Sequence, residues 1–158
     1  MVFDQLIYKD LILDNINALN SEDAIKTMAE LLLKKGFVEE PFIEAILERE
    51  QHYPSGLPME GHKIAIPHTD ATYVKKSALV FARLKDYVTF HVMGSPDETI
   101  KVRLISMFAL REKKEIGDLL ETLITMYQNN SLLDSIIKAR NSNEIYTILR
   151  KEIGKFIK

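Results

Sequence analysis

The chain has 158 residues, of which 46% are hydrophobic and 28% are charged, and its formal net charge is −2. Such a composition is typical of a globular protein, and the small net charge disfavours nucleic acid as the main partner. No apolar run approaches the roughly 20 residues that a membrane span needs, and the acidic N-terminus lacks the pattern of a signal peptide. The sequence therefore predicts one cytoplasmic domain over residues 1–158, with no nucleic-acid partner and no direct membrane insertion.

The apolar pattern predicts the elements in chain order. A strand or edge segment at 11–15 precedes a helix over 21–36 with Ser21 as its N-cap, and a second helix runs from about Pro41 to 51. Two prolines and two glycines make 52–62 a loop. Strands are predicted at 63–67, 77–84, 88–93 and 102–110, and helices at 115–128, 131–139 and 142–153, with Ser131 and Ser142 as candidate N-caps.

This order of elements predicts the fold class. Helices on both sides of a run of strands indicate an α/β or α+β protein, with a central mixed sheet of about four to five strands and helices packed on it. The segments 77–84 and 102–110 are long and mostly apolar, as expected of strands that are covered on both faces.

The chain contains no cysteine. Disulfides, thiolate nucleophiles and cysteine-based zinc sites are thereby excluded, which is compatible with a reducing compartment. Any nucleophilic side chain must be of another type, and three of the four histidines, His52, His62 and His68, lie close together in the sequence.

His68 follows the predicted strand in the segment KIAIPHTDA, residues 63–71. Pro67 fixes its own φ and pushes Ile66 towards extended geometry, so the backbone that enters His68 is stiff. A neutral imidazole has one nitrogen with a free lone pair, which suits a nucleophile. On this segment alone, an incidental loop histidine remains the alternative.

The wider segment AILEREQHYPSGLPMEGHKIAIPH adds a resemblance. It resembles the type-2 enzyme IIA proteins of the bacterial sugar phosphotransferase system, the branch for fructose, mannitol and galactitol. Arg49 and Glu50 match the pair that ends a helix in that family, 54–56 match its loop, and 64–68 match the strand that presents the phosphorylated histidine. The resemblance covers about the whole chain, and the loop looks closest to the galactitol type.

The resemblance implies the type-2 enzyme IIA fold and a phosphoryl relay. His68 would accept a phosphoryl group from the phosphohistidine of the carrier HPr and donate it to enzyme IIB, usually to a cysteine, with no cofactor and no metal. Arg49 would bind phosphate oxygens with its planar guanidinium. The candidate supporting residues are Glu50, His52, Ser55 and His62. The sugar is not encoded here, because enzyme IIA does not bind it.

Several members of the wider family carry a second active-site histidine, and Ile116 occupies the corresponding position in this chain. Other interpretations of single residues also stay open. Arg49 could pair with Glu48 or Glu50, Ser55 could serve only the turn, and His62 could be a polar residue at the start of a strand. His91 is expected on the less buried face of its strand. The apolar run 57–59, comprising Leu57, Pro58 and Met59, is a candidate docking surface.

Two alternative functions remain. A regulatory member of the same family would use the phosphohistidine to control partner proteins instead of transport. A zinc-dependent hydrolase would need a ligand set such as His52, His62 and His68 with Asp70 or Glu60, although the spacing fits no metal motif.

Overall fold

The computed structural model describes residues 3–156 and confirms the predicted fold class. Five helices flank a five-stranded mixed sheet in this part of the chain. The strands are β1 (Ile7–Ile16), β2 (Gly56–Leu57), β3 (Ile64–Ala65), β4 (Ala78–Val92) and β5 (Ser95–Ala109). The helices are α1 (Ser21–Lys34), α2 (Pro41–His52), α3 (Ile116–Tyr127), α4 (Asn130–Lys138) and α5 (Ser142–Gly154).

The sheet is built around a long hairpin of β4 and β5. These strands pair antiparallel, and Gly94, with φ +79°, lies in the turn between them. β1 runs parallel to β4 on one side, and the short β3 runs parallel to β5. β2 joins the two regions, because it pairs with β3 and also contacts β4 through Gly56 and Val92.

Three strand predictions need correction. The segments 77–84 and 88–93 belong to one continuous strand, β4. Exposed Lys85, Asp86 and Tyr87 interrupt its apolar pattern at a register shift, which is why the sequence indicated two strands. The strand predicted at 63–67 is only two residues long, and β2 lies inside the segment predicted as a loop.

Alternation along β4 produces two cores. Ala78, Val80 and Ala82 pack on the face covered by α1 and α2, whereas Leu79 and Phe81 pack on the face covered by α3, α4 and α5. Successive side chains of a strand point to opposite faces, so a strand covered on both sides must be apolar throughout. The expectation that the sheet is buried on both faces is confirmed.

The three predicted serine caps are wrong, and an asparagine caps the helix in each case. Asn20 Oδ1 accepts a hydrogen bond from the backbone N–H of Asp23 before α1. Asn129 and Asn141 cap α4 and α5 in the same way. Each asparagine precedes the predicted serine by one or two residues. Its side-chain carbonyl accepts a hydrogen bond from an N–H group that the helix leaves free.

Buried Arg83 connects the sheet to the end of α4. Its guanidinium donates to both carboxylate oxygens of Asp14 on β1, at 2.7 and 2.8 Å. It also donates to the backbone carbonyls of Ile136, Ile137 and Ala139, at 2.7 to 3.2 Å. These bonds compensate for the burial of the charge and satisfy carbonyls that the helix end leaves free.

Within residues 3–156, no helix has both the length and the apolar character required to cross a membrane.

Candidate functional site

The backbone before His68 is held from two sides. The Ile66 N–H donates to the carbonyl of Ser55 at 3.0 Å, and the Phe108 N–H donates to the carbonyl of Pro67 at 3.3 Å. β3 ends at Ala65, before Pro67, which has no N–H to continue a ladder. These contacts fix the chain where His68 leaves the sheet.

The imidazole of His68 is fixed in orientation by two contacts. Its ring stacks on Phe108 with 4.8 Å between ring centroids and an interplanar angle of 9°. Its Nδ1 lies 2.8 Å from the carbonyl oxygen of Ile66. Because a carbonyl only accepts, Nδ1 must carry the proton, and the neutral ring then has its lone pair on Nε2. Among residues 3–156, no side chain or backbone group forms a hydrogen bond with Nε2.

The surroundings of His68 favour the neutral ring. Burial lowers its pKa below the ordinary value of 6.5, and the nearby charge of Arg49 acts in the same direction, whereas the bond to Ile66 opposes the shift. A neutral imidazole near pH 7 retains the lone pair that a nucleophile requires.

Arg49 lies beside His68 with its guanidinium available. The side chain is exposed in the last turn of α2, and its guanidinium carbon lies 4.2 Å from the ring centroid of Tyr53. Within the described part of the chain it forms no ion pair, so the pairing with Glu48 or Glu50 is wrong. The guanidinium therefore remains able to bind an anion with its planar set of N–H donors.

Glu50 holds the loop before β3 through hydrogen bonds with Ser55. Its carboxylate accepts hydrogen bonds from the Ser55 backbone N–H at 2.9 Å and from the Ser55 hydroxyl at 2.6 Å. Burial raises the pKa of Glu50 to about 7, although the bonds from Ser55 and the charge of His91 oppose the rise. Ser55 itself is 2% exposed, and its hydroxyl is committed to Glu50. Both residues therefore support the site through the loop backbone.

Two adjoining cavities meet at His68, each of about 330 Å³, and both are lined by Arg49, His68 and Leu120. The first, which we call the Tyr53 cavity, is also lined by His52, Tyr53, Pro54, Met93, Gly94 and Pro96. The second, which we call the Lys113 cavity, is also lined by Thr69, Asp70, Lys113, Ile116 and Gly117.

The Tyr53 cavity is lined by both His52 and His68, so the loop after α2 returns close to His68. Its wall is largely apolar, and the ring of Tyr53 is 64% exposed. The docking surface predicted at 57–59 is wrong for Leu57, which is only 6% exposed because it packs in the core beneath α3 to α5. Pro58 is exposed, and Met59 is partly buried against the same core.

The Lys113 cavity places Asp70 beside Lys113, a cation that the sequence did not single out. Hydrogen bonding by the Thr72 side chain, and then by its backbone N–H at 2.9 Å, lowers the pKa of the Asp70 carboxyl, with smaller contributions from Lys113 and Arg49. Ile116, which the resemblance aligned with a second histidine of some family members, lines this same cavity. Lys113 belongs to the charged run REKKE, which gives no sign of which lysine would turn inward.

His62 and His91 lie outside both cavities. His62 Nε2 lies 3.3 Å from Asp134 Oδ1, and its backbone N–H donates to Asn130, so it joins the loop to α4. His91 is exposed between buried Phe90 and Val92, which confirms the expected face of β4. Within residues 3–156, no three His, Asp or Glu side chains converge to form a metal site, so the zinc alternative finds no ligand set there.

Comparison with known proteins agrees with this arrangement. Residues 5–152 match the family model described as phosphoenolpyruvate-dependent sugar phosphotransferase system, EIIA 2. The galactitol-specific EIIA component of Escherichia coli K12 is 26% identical over 122 residues, which cover 77% of this chain and 81% of that protein.

Two solved structures from Escherichia coli extend the comparison. The crystal structure of IIA mannitol has a TM-score of 0.75 and 25% identity, covering 90% of this chain and 98% of that one. The NMR structure of enzyme IIAMTL in complex with phosphorylated enzyme IIBMTL has a TM-score of 0.73 and 26% identity, covering 89% and 94%.

The fold and the matched family model define a component of a phosphotransferase system. The chain belongs to the type-2 EIIA family of the phosphoenolpyruvate-dependent sugar phosphotransferase system.

Proposed function

We propose that this protein is a phosphoryl relay that accepts a phosphoryl group on His68 Nε2 from phospho-HPr and passes it to an enzyme IIB. The observation that carries the proposal is the hydrogen bond between His68 Nδ1 and the Ile66 carbonyl, which leaves Nε2 as the nucleophile beside an unpaired Arg49. Membership of the EIIA family supports the same reaction class.

The transfer requires no cofactor. The Nε2 lone pair forms a bond to phosphorus while the P–N bond of the donor breaks, and that electron pair returns to the donor imidazole. The His68 ring becomes cationic, and its Nδ1–H keeps its bond to the Ile66 carbonyl, which stabilises the charge. In the second transfer a cysteine thiolate of IIB attacks phosphorus, and the P–N electrons return to Nε2.

Arg49 supplies charge stabilisation in this proposal. Phosphoryl transfer through a loose, in-line transition state depends mainly on positioning and on neutralising the three equatorial oxygens. Contact with the Tyr53 ring restrains the Arg49 side chain at the edge of both cavities. The Arg49→Lys variant keeps the charge but loses the planar fork, so a slower transfer by this variant would reveal bidentate binding.

The Tyr53 cavity is the docking surface for both partners in this account. Its apolar wall and the exposed Tyr53 ring offer the kind of contact that transient interfaces use around a reactive group. A relative, enzyme IIAMTL of Escherichia coli, has been solved in complex with phosphorylated IIBMTL, which supports IIB as the acceptor.

We assign the relay to a sugar alcohol system of the galactitol type. The support is the 26% identity with the galactitol-specific component.

Phosphorylation by enzyme I, HPr and phosphoenolpyruvate tests the proposal. Wild-type protein should gain one acid-labile phosphoryl group by intact mass, the His68→Ala variant should gain none, and IIB of the galactitol type should remove it faster than IIB of the mannitol or fructose type. Wild type that stays unmodified beside a competent control EIIA would refute the relay. Phosphorylated protein that transfers to none of these IIB proteins would favour the regulatory alternative.

A further inference from the structure

Two cations from separate elements line the Lys113 cavity. Arg49 lies in the last turn of α2, whereas Lys113 begins the short 3₁₀ turn, Lys113–Glu115, that leads into α3. Both contribute to lowering the pKa of the Asp70 carboxyl, so both charges act on the same small region beside His68. The cavity therefore concentrates positive charge where a group on His68 would lie.

The ammonium group of Lys113 is available to bind an anion. Its side chain is exposed, and within residues 3–156 it forms neither an ion pair nor a hydrogen bond through its ammonium group. The adjacent Lys114 is also exposed but does not line the cavity. Only one of two neighbouring lysines is thus positioned beside His68, although both carry the same charge.

A phosphoryl group on His68 would need more charge than Arg49 provides. It brings two negative charges into a cavity that already contains the ionised Asp70, and like charges in a partly buried site repel each other. The residues of α3 that line this cavity, Ile116, Gly117 and Leu120, have no polar side chain to offset them.

We propose that Lys113 is a second phosphate-binding residue, whose ammonium binds oxygens of the phosphoryl group on His68 together with the Arg49 guanidinium. The assignment rests on the proposed function. Lys113 forms no covalent bond and keeps its proton throughout; it contributes charge and N–H donors. In the free protein Asp70 attracts both cations, and the arriving phosphoryl group replaces that attraction with a stronger one.

Two measurements on purified proteins test the assignment of Lys113. The first is the ³¹P NMR titration of phosphorylated protein without any partner, which gives the pKa of the phosphoryl group. The second is the equilibrium constant for phosphoryl exchange with HPr. The variants are Lys113→Met, Lys113→Arg, and the matched control Lys114→Met, which removes the same charge one residue away.

Loss of Lys113 should raise the phosphoryl pKa, because a nearby cation favours the dianion. The exchange equilibrium should move towards phospho-HPr by roughly tenfold, the effect of one partly exposed charge-assisted hydrogen bond. Lys113→Arg should restore both values, and Lys114→Met should change neither. Asp70→Asn should shift both quantities in the opposite direction, because it removes a competing negative charge.

Wild-type values of both quantities in Lys113→Met would overturn the assignment. A slower reaction at low HPr concentration with both quantities unchanged would also overturn it, because Lys113 would then bind the carrier and not the phosphoryl group. Wild-type protein that takes no phosphoryl group would refute the proposed function and the assignment together, a result distinct from a phosphorylated Lys113→Met with wild-type constants.

Discussion

Partly buried Glu50 should make the stability of the fold depend on pH. The carboxyl is held against Ser55, and burial raises its pKa from 4.5 to about 7. Between these two values the folded protein keeps Glu50 protonated while the unfolded chain ionises it. The stabilisation is therefore complete below pH 4.5 and is lost as the pH rises through about 7.

The Glu50→Gln variant isolates this effect. Glutamine is neutral at every pH, and its carbonyl oxygen can still accept the hydrogen bond from the Ser55 N–H. At about 1.4 kcal/mol per pKa unit, the difference between 4.5 and about 7 corresponds to roughly 3 kcal/mol as an upper limit. The stability of the variant relative to wild type should therefore increase by up to this amount between acid and neutral pH.

Urea unfolding of both proteins at several pH values measures the difference. Other groups, such as His68 with its lowered pKa, act with the opposite sign, but they cancel when the variant is compared with wild type at each pH. Glu48→Gln, an exposed change on the same helix, is the matched control. Parallel curves for wild type and Glu50→Gln would refute the reasoning, and an opposite slope would mean that the Ser55 bonds hold Glu50 ionised.

Three further predictions concern single residues. NMR titration of the unphosphorylated protein should give the His68 ring a midpoint below 6.5, because burial disfavours its cation, and a midpoint at or above 6.5 would contradict this. Arg83→Met should lower the free energy of unfolding in urea by about 3–5 kcal/mol, because it leaves a carboxylate and three carbonyls without their partner. A loss below about 1 kcal/mol would mean that water replaces these bonds. Gly56→Ala should lower the Tm, because the added Cβ would lie 2.6 Å from the backbone oxygen of His91. Gly154→Ala should not lower it, because its Cβ would meet no atom within 4 Å. An unchanged Tm for Gly56→Ala would show that the sheet adjusts freely.

The fold class was predictable because its signals are local or strongly periodic. Long apolar runs predicted strands buried on both faces, and apolar residues every three or four positions predicted the helices. The sequence did not predict β2 because a strand of two residues is too short to show an alternating apolar pattern. Its pairing depends instead on contacts with β3 and β4. The caps were misplaced because Asn and Ser are both good N-caps, and the backbone geometry decides between neighbours.

The sequence predicted that Arg49 and His68 lie together, but it did not predict the contacts that support them. The resemblance of the segment from Arg49 to His68 to the family pattern singled out His68, and the structure adds which nitrogen is free. The pairing of Glu50 with Ser55 was not apparent, because it depends on how the loop folds back on α2. The contribution of Phe108 could not be predicted either, since a core phenylalanine at the end of a strand carries no sign of a stacked imidazole.

The most direct test of the central claim is to identify which nitrogen of His68 carries the phosphoryl group. Long-range ¹H–¹⁵N NMR of the phosphorylated protein distinguishes the two ring nitrogens. The account predicts phosphorylation at Nε2 with Nδ1 still protonated and bonded to the Ile66 carbonyl. Phosphorylation at Nδ1 would contradict it, because that bond would then have to break.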